Sequence, residues 1–127
     1  MNIYLYHKLD FYLNLLGLEY FYYFQLKLIK PNRVLSFIGR THGPGYSTID
    51  YLEQPGKIKE NVRDNLYSPI VLALLSNKLN FHYTYLGTGC IFEYDDSHPF
   101  EVESNGFRED SVPNFFGSGY SVVKGYT

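Results

Sequence analysis

The sequence predicts a small α+β domain over residues 1–127, with an antiparallel sheet and two or three short helices. The chain has 127 residues, which is the length of one ordinary domain. Hydrophobic residues make up 45% of it and charged residues 19%, a balance typical of globular proteins and not of disordered chains. Apolar residues recur with helical spacing in some segments and alternate in others, which predicts both element types.

Three segments are predicted to be helical. Residues 8–16 place their leucines and a tyrosine on one face, and residues 57–66 carry an apolar residue every fourth position on an otherwise polar segment. The helix predicted over residues 69–79 has the clearest start, because Ser68 can cap free amides and Pro69 is tolerated in the first helical position.

Aromatic and alternating segments predict the strands. Residues 19–29 are rich in aromatics and end in an apolar and polar alternation, and residues 33–39 form a second apolar run. The clearest alternation lies within residues 79–94, where Gly-Thr-Gly can turn the chain, so an antiparallel hairpin is predicted there. Short strands are predicted over residues 100–104 and 120–124.

Charge argues against a nucleic-acid-binding surface. The formal net charge is -2, and the acidic residues of the second half all lie between Glu93 and Asp110. Proteins that grip phosphates carry a basic stripe, because counterion release supplies most of their affinity. The chain also lacks the glycine-rich phosphate motifs GxGxxG and GxxxxGK[ST]. The sequence therefore shows no strong nucleic-acid footprint.

Composition bears on compartment and origin. The single cysteine, Cys90, cannot form an internal disulfide, which favours a reducing intracellular compartment, an organelle matrix included. No apolar run reaches the roughly 18 residues of a spanning helix, so no transmembrane segment is predicted. The 14 tyrosines, 10 phenylalanines and absence of tryptophan are typical of an AT-rich genome, such as that of an organelle or a phage.

The glycine-rich loop over residues 39–47 is the main candidate site. Its glycines would let a backbone approach a ligand, while Arg40, His42, Tyr46 and Ser47 supply charge and hydrogen bonds. Arg40 would clamp an anion and His42 would act as general acid or base. The commoner outcome for such a loop is a solvated surface turn. Because both positions are expected to be exposed, His42→Ala and Arg40→Ala are each predicted to change folding stability by less than about 1 kcal/mol.

Two further groups of residues have simpler explanations. Cys90 could be activated by His82 across the predicted hairpin, but a buried, inert thiol is the preferred interpretation. The acidic and imidazole side chains between Glu93 and His98 could surround a cation, yet an acidic turn is the commoner outcome. The sequence therefore assigns no metal and no cofactor.

The aromatic excess favours a non-enzymatic interaction or structural subunit of a larger protein assembly. Exposed tyrosine and phenylalanine are enriched at protein interfaces, and residues 19–24 read "EYFYYF". The expected partners are other protein subunits or further copies of the chain. The alternative function is a small enzyme or anionic-ligand-binding domain that uses the loop over residues 39–47.

Overall fold

The computed structural model of the chain describes residues 3–6, 15–100 and 106–127. Within these ranges, three strands and four α-helices follow one another, with short 3₁₀ turns before α2 and after β3 and a π-helical turn, Arg63–Tyr67, between α2 and α3. The elements are β1 Ile3–Tyr6, α1 Leu15–Ile29, β2 Arg33–Ser36, α2 Ile58–Val62, α3 Ser68–Leu79, β3 His82–Tyr85 and α4 Gly119–Lys124.

The sheet is parallel, so the antiparallel prediction is wrong. Its three strands lie in the order β1-β2-β3. Arg33 of β2 pairs with Ile3 of β1 on one side and with His82 of β3 on the other. Each strand is joined to the next through helices, which is the connection that parallel strands require. The mixed helix and strand composition of the α+β prediction is confirmed.

Residues 19–29 form helix α1 and not the predicted strand. Leu18, Tyr22 and Leu26 lie one turn apart and are fully buried, and Tyr22 and Leu26 pack in the core with the sheet and α3. Tyr20 and Phe24 lie on the outer face and are each about two thirds exposed. Because both faces carry large apolar side chains, the 3.6-residue period is hidden in the sequence. Of the helix predicted over residues 8–16, all but its last two residues lie outside the described part of the chain.

The two helices predicted in the middle of the chain are confirmed. The segment over residues 57–66 contains α2 and most of the π-helical turn, and the segment over residues 69–79 is α3. Val71, Leu72 and Leu75 of α3 pack beneath the sheet with Val34 of β2 and Phe81. This main core lies between the sheet and helices α1 and α3.

Two strand predictions in the last third of the chain are wrong. The segment over residues 79–94 is no hairpin, because β3 pairs in parallel with β2 and a 3₁₀ turn, Gly89–Ile91, follows it. The segment over residues 120–124 is the body of α4. Residues 101–105 lie outside the described part of the chain, so the strand over residues 100–104 stays a prediction.

Helices α1 and α3 end in the same way, at the amino ends of the strands that follow. Lys30 after α1 has φ +49° and Asn80 after α3 has φ +55°. The amide of Lys30 donates to the carbonyl of Leu26, and that of Phe81 donates to the carbonyl of Ser76. Each left-handed residue closes its helix and turns the chain into a strand. Within the described residues, no helix is long and apolar enough to cross a membrane.

Candidate active site

The candidate site lies at the carboxyl edge of the parallel sheet. Strand β2 ends at Ser36 and strand β3 ends at Tyr85, so the loops that follow both strands emerge on the same side. Helix α4 packs against the 3₁₀ turn after β3 at this edge. In open parallel sheets, ligands bind in the crevice outside the carboxyl ends of the strands.

Helix α4 brings a tyrosine and a lysine to this edge. Ser118 caps the helix, since its hydroxyl accepts from the amide of Ser121 at 3.0 Å. Tyr120 and Lys124 are four residues apart and therefore share one face of the helix. Both are about 95% buried, so a phenol and an amine on this face are held out of water.

The environment of Tyr120 favours its protonated form. Burial raises the pKa of the Tyr120 phenol above its ordinary value, and a hydrogen bond with the Thr88 side chain offsets part of that rise. The nearby Cys90 side chain also raises the pKa of Tyr120. Thr88 is itself fixed, because its hydroxyl accepts from the amide of Cys90 at 3.2 Å. A neutral phenol bonded to a fixed hydroxyl can serve as a proton donor.

Lys124 is a lysine with a strongly lowered pKa. Burial lowers the pKa of its ammonium group from 10.5 to about 8. Its Nζ donates to the hydroxyl of Tyr85 and lies over the Tyr85 ring, 4.4 Å from the centroid. A Cβ at Gly39 would be 4.0 Å from the same Nζ, so the loop after β2 passes directly beside it. Lys124 can therefore exchange a proton near neutral pH while carrying charge below it.

Arg40 is part of an ion-pair network and not an exposed anion clamp. Its Nε donates to Asp64 Oδ2 at 2.6 Å and lies 3.7 Å from Glu60 Oε2, and its side chain is only 12% exposed. Arg63 shares the same Asp64 carboxylate, with Nε 2.6 Å from Oδ1. The expectation that Arg40 is a solvated loop residue is therefore wrong. Its role in binding an anion stays a prediction.

The Asn65 side chain holds the loop after β2 through hydrogen bonds to its backbone. Its Oδ1 accepts from the backbone amide of Arg40 at 2.7 Å, and its Nδ2 donates to the carbonyl of the same residue at 3.0 Å. Asn65 and its neighbour Asn61 are fully buried, and their side-chain amides are bonded to each other at 2.9 Å. The backbone at Gly39 and Arg40 is thus held rigidly next to Lys124.

The other predicted loop residues lie at the surface. His42, Tyr46 and Ser47 are exposed, and a short antiparallel bridge between Gly43 and Tyr46 closes the loop. Gly43 presses on the ring of Tyr51, where an added Cβ would lie 2.4 Å from ring carbons. The structure does not bring His42 together with Tyr120 and Lys124 by any described contact. A ligand-binding role for these three side chains stays a prediction.

Cys90 is exposed, so its predicted burial is wrong. It follows the carboxyl end of β3, whereas His82 begins that strand, and no hairpin brings the two together. Cys90 instead neighbours Thr88 and Tyr120.

The acidic segment after Cys90 forms a closed turn. The Asp95 carboxylate accepts from the His98 ring and from the amides of Ser97 and His98, at 2.8 to 2.9 Å. Its second oxygen accepts from Asn114 Nδ2 at 3.0 Å. Among the described residues, no three or more side chains of histidine, cysteine, aspartate or glutamate are grouped to hold a metal ion.

Sequence reasoning missed Thr88, Tyr120 and Lys124. The signal for α4 was present, because Ser118 is a helix cap and the next six residues include no proline. The two valines in the segment favoured a strand instead. Thr88 was read only as part of a turn, and nothing in the sequence indicated that it would meet a side chain more than thirty positions later.

Comparison with known proteins finds similarity to parts of several longer proteins. No protein-family model matches it. It is 64% identical over 103 residues to the uncharacterized protein L780 of Acanthamoeba polyphaga mimivirus, covering 81% of this chain and 35% of that protein. The crystal structure of the L780 UDP-rhamnose synthase matches with a TM-score of 0.77 and 60% identity, over 85% of this chain and 37% of that one.

Two proteins of Arabidopsis thaliana match more distantly. One is a trifunctional UDP-glucose 4,6-dehydratase, UDP-4-keto-6-deoxy-D-glucose 3,5-epimerase and UDP-4-keto-L-rhamnose-reductase, 37% identical over 99 residues that make up 78% of this chain and 14% of that protein. The other is a bifunctional dTDP-4-dehydrorhamnose 3,5-epimerase and reductase, 35% identical over 99 residues, or 78% of this chain and 31% of that protein. This chain therefore spans about a third or less of its relatives.

These similarities overturn the predicted function. A chain that shares 60% of its matched residues and its fold with part of a UDP-rhamnose synthase points to an enzyme. The prediction of a non-enzymatic interaction or structural subunit is wrong. Several aromatic side chains are indeed exposed, Tyr20, Phe24 and Phe116 among them, but their exposure does not identify a partner.

Proposed function

We propose that this chain carries the proton-transfer centre of an enzyme that reduces the keto group of a nucleotide-linked 4-keto-6-deoxyhexose. The observation that carries the proposal is the buried Tyr120 phenol, bonded to Thr88 and one helical turn from Lys124, whose pKa is about 8. The similarity to proteins named as keto-rhamnose reductases supplies the substrate class.

The reaction needs a hydride and a proton. The hydride adds to the carbonyl carbon and forms a C–H bond, while the Tyr120 O–H bond breaks and its proton forms an O–H bond on the carbonyl oxygen. Thr88 remains bonded to the phenolate oxygen, and the charge of Lys124 stabilises the phenolate until a solvent proton restores it. The donor, which loses two electrons with the hydride, would be a reduced nicotinamide.

The reduced nicotinamide would lie at this edge, beside the backbone of Gly39 and Lys124. Gly39 has no side chain. A Cβ added at this position would lie 3.3 Å from Asn65 Oδ1 and 4.0 Å from Lys124 Nζ.

The test uses the 127-residue chain and a hybrid in which its residues replace the matching segment of the mimivirus L780 protein. Oxidation of the reduced nicotinamide is followed with a nucleoside-diphosphate 4-keto-6-deoxyhexose. Tyr120→Phe should lower kcat by at least about 100-fold, as expected for loss of a general acid, with little change in KM. Tyr126→Phe is the control, since that tyrosine is 73% exposed. A Tyr120→Phe hybrid with unchanged kcat would refute the proposal.

A second candidate activity is proton exchange at carbon next to the carbonyl. The exposed Cys90 thiol neighbours Tyr120, and both Arabidopsis relatives are named as 3,5-epimerases. A Cys90 thiolate would take the proton from the carbon, while Tyr120 stabilises the enolate oxygen. Cys90→Ser should then abolish deuterium uptake from heavy water into the keto sugar. It should leave reduction of an already epimerised substrate intact.

A further inference from the structure

The carboxylate of Glu53, in the loop after β2, accepts two hydrogen bonds from the backbone of helix α4. Glu53 Oε2 accepts from the amide of Gly119 at 3.0 Å, and Glu53 Oε1 accepts from the amide of Tyr120 at 3.0 Å. These amides belong to the first turn of α4, where backbone donors have no partner within the helix. Glu53 thus satisfies two of them across 66 residues of sequence.

The position of Glu53 is itself fixed by packing against Tyr120. Tyr51 and Leu52, the two residues before Glu53, are 4% exposed and form a small core cluster with Tyr120. The Tyr51 hydroxyl donates to Glu60 Oε2 at 2.8 Å, which ties the same turn to α2. The backbone that carries Glu53 is therefore as rigid as the core beside it.

The Glu53 carboxylate can approach helix α4 this closely because residue 119 is a glycine. A Cβ at that position would lie 3.3 Å from Glu53 Oε2, closer than most Cβ contacts, and 3.6 Å from Oε1, an ordinary contact. A carboxylate on two backbone amides is a charge-assisted pair of bonds, about twice as strong as neutral ones. Since α4 has only six residues, this attachment at its first turn governs where its side chains point.

We infer that Glu53 is a positioning residue, which holds the first turn of α4 so that the Tyr120 hydroxyl stays on Thr88 and beside Lys124. The inference rests on the proposed function, because it assigns Tyr120 the proton transfer. Glu53 acts through the backbone, so its loss should misplace the phenol without removing any reacting group. An error of about 1 Å in such a group can lower the rate about 100-fold.

The experiment compares three variants of the full chain and of the L780 hybrid. Glu53→Ala removes both acceptors and should lower kcat about 100-fold with KM changed by less than about twofold. Glu53→Gln keeps one acceptor oxygen and should give an intermediate kcat. Glu109→Gln, at an exposed glutamate, should match the wild type. Unchanged kcat in Glu53→Ala, or equal losses in Glu53→Ala and Glu109→Gln, would overturn the inference.

Amide hydrogen exchange by NMR gives a second reading that does not depend on turnover. In Glu53→Ala, the amides of Gly119 and Tyr120 should exchange at least about tenfold faster than in Glu109→Gln, because each has lost its acceptor. Unchanged exchange would overturn the positioning role. If the wild-type chain and hybrid both lack turnover, the proposed function fails, and the exchange rates alone decide whether Glu53 holds Tyr120.

Discussion

The lowered pKa of Lys124 makes the stability of the protein depend on pH in a way that a single substitution should remove. The folded pKa is about 8 against 10.5 for a free lysine. A difference of this size corresponds to about 3.5 kcal/mol at most, since one pKa unit is about 1.4 kcal/mol. Lys124 is 5% exposed, so solvent screening reduces the figure little.

The sign follows from which state holds the proton more tightly. At pH 7 the lysine is protonated in both states, and the folded protein bears the full cost of burying the charge. As the pH rises through about 8, the folded state releases its proton while the unfolded chain keeps it. The free energy of unfolding should therefore rise between about pH 8 and 10.5 and level off above that.

Urea unfolding followed by far-ultraviolet circular dichroism measures the effect at about pH 7 and about pH 10. From about pH 7 to about pH 10, the free energy of unfolding of the wild type should rise by about 2 to 3 kcal/mol more than that of Lys124→Met, which has no proton to release. Lys59→Met, at an exposed lysine, should show the wild-type dependence. The buried tyrosines change stability only above about pH 10 and affect all three proteins alike. Parallel pH dependences for the wild type and Lys124→Met would refute the reasoning.

Three further substitutions test the loop after β2 by urea unfolding. Arg40→Ala should cost about 2 to 3 kcal/mol, because it leaves the buried Asp64 with one guanidinium instead of two; a cost below about 0.5 kcal/mol would show that Arg63 suffices. His42→Ala should cost less than about 0.5 kcal/mol, as an exposed position should. Gly43→Ala should cost at least about 2 kcal/mol, since its Cβ would lie 2.4 Å from the Tyr51 ring; a neutral result would mean that the ring moves aside.

The sequence predicted those elements whose signals are local. Helix α3 begins at Ser68 and Pro69 as its capping pattern indicates. Strand β2 follows a Pro-Asn break and forms where an apolar run predicts it. The sequence of helix α1 predicts a strand because Tyr22 faces the core while Tyr20 and Phe24 face outward. An aromatic residue on every face erases the period that separates a helix from a strand.

The candidate site could not be assembled from the sequence, because its parts meet only through the sheet. Gly39, the first residue of the predicted loop over residues 39–47, lies close to Lys124, and the role of that loop as a site stays a prediction. Arg40 was misjudged, because its partner Asp64 is 24 residues away on a helix. Tyr120 carried no local mark of function. Its environment depends on Thr88 and Glu53, which reach it only in the folded chain.

The paired left-handed residues Lys30 and Asn80 have a practical consequence for engineering. Both lie at the amino edge of the sheet, opposite the edge that carries Thr88 and Tyr120. Lysine in this conformation carries a steric strain of about 1 to 2 kcal/mol that glycine avoids. Lys30→Gly therefore offers a thermostabilising change at a distance from the reacting groups. In this fold, substitutions at the amino edge of the sheet can change thermal stability, while substitutions at the carboxyl edge change the reacting groups.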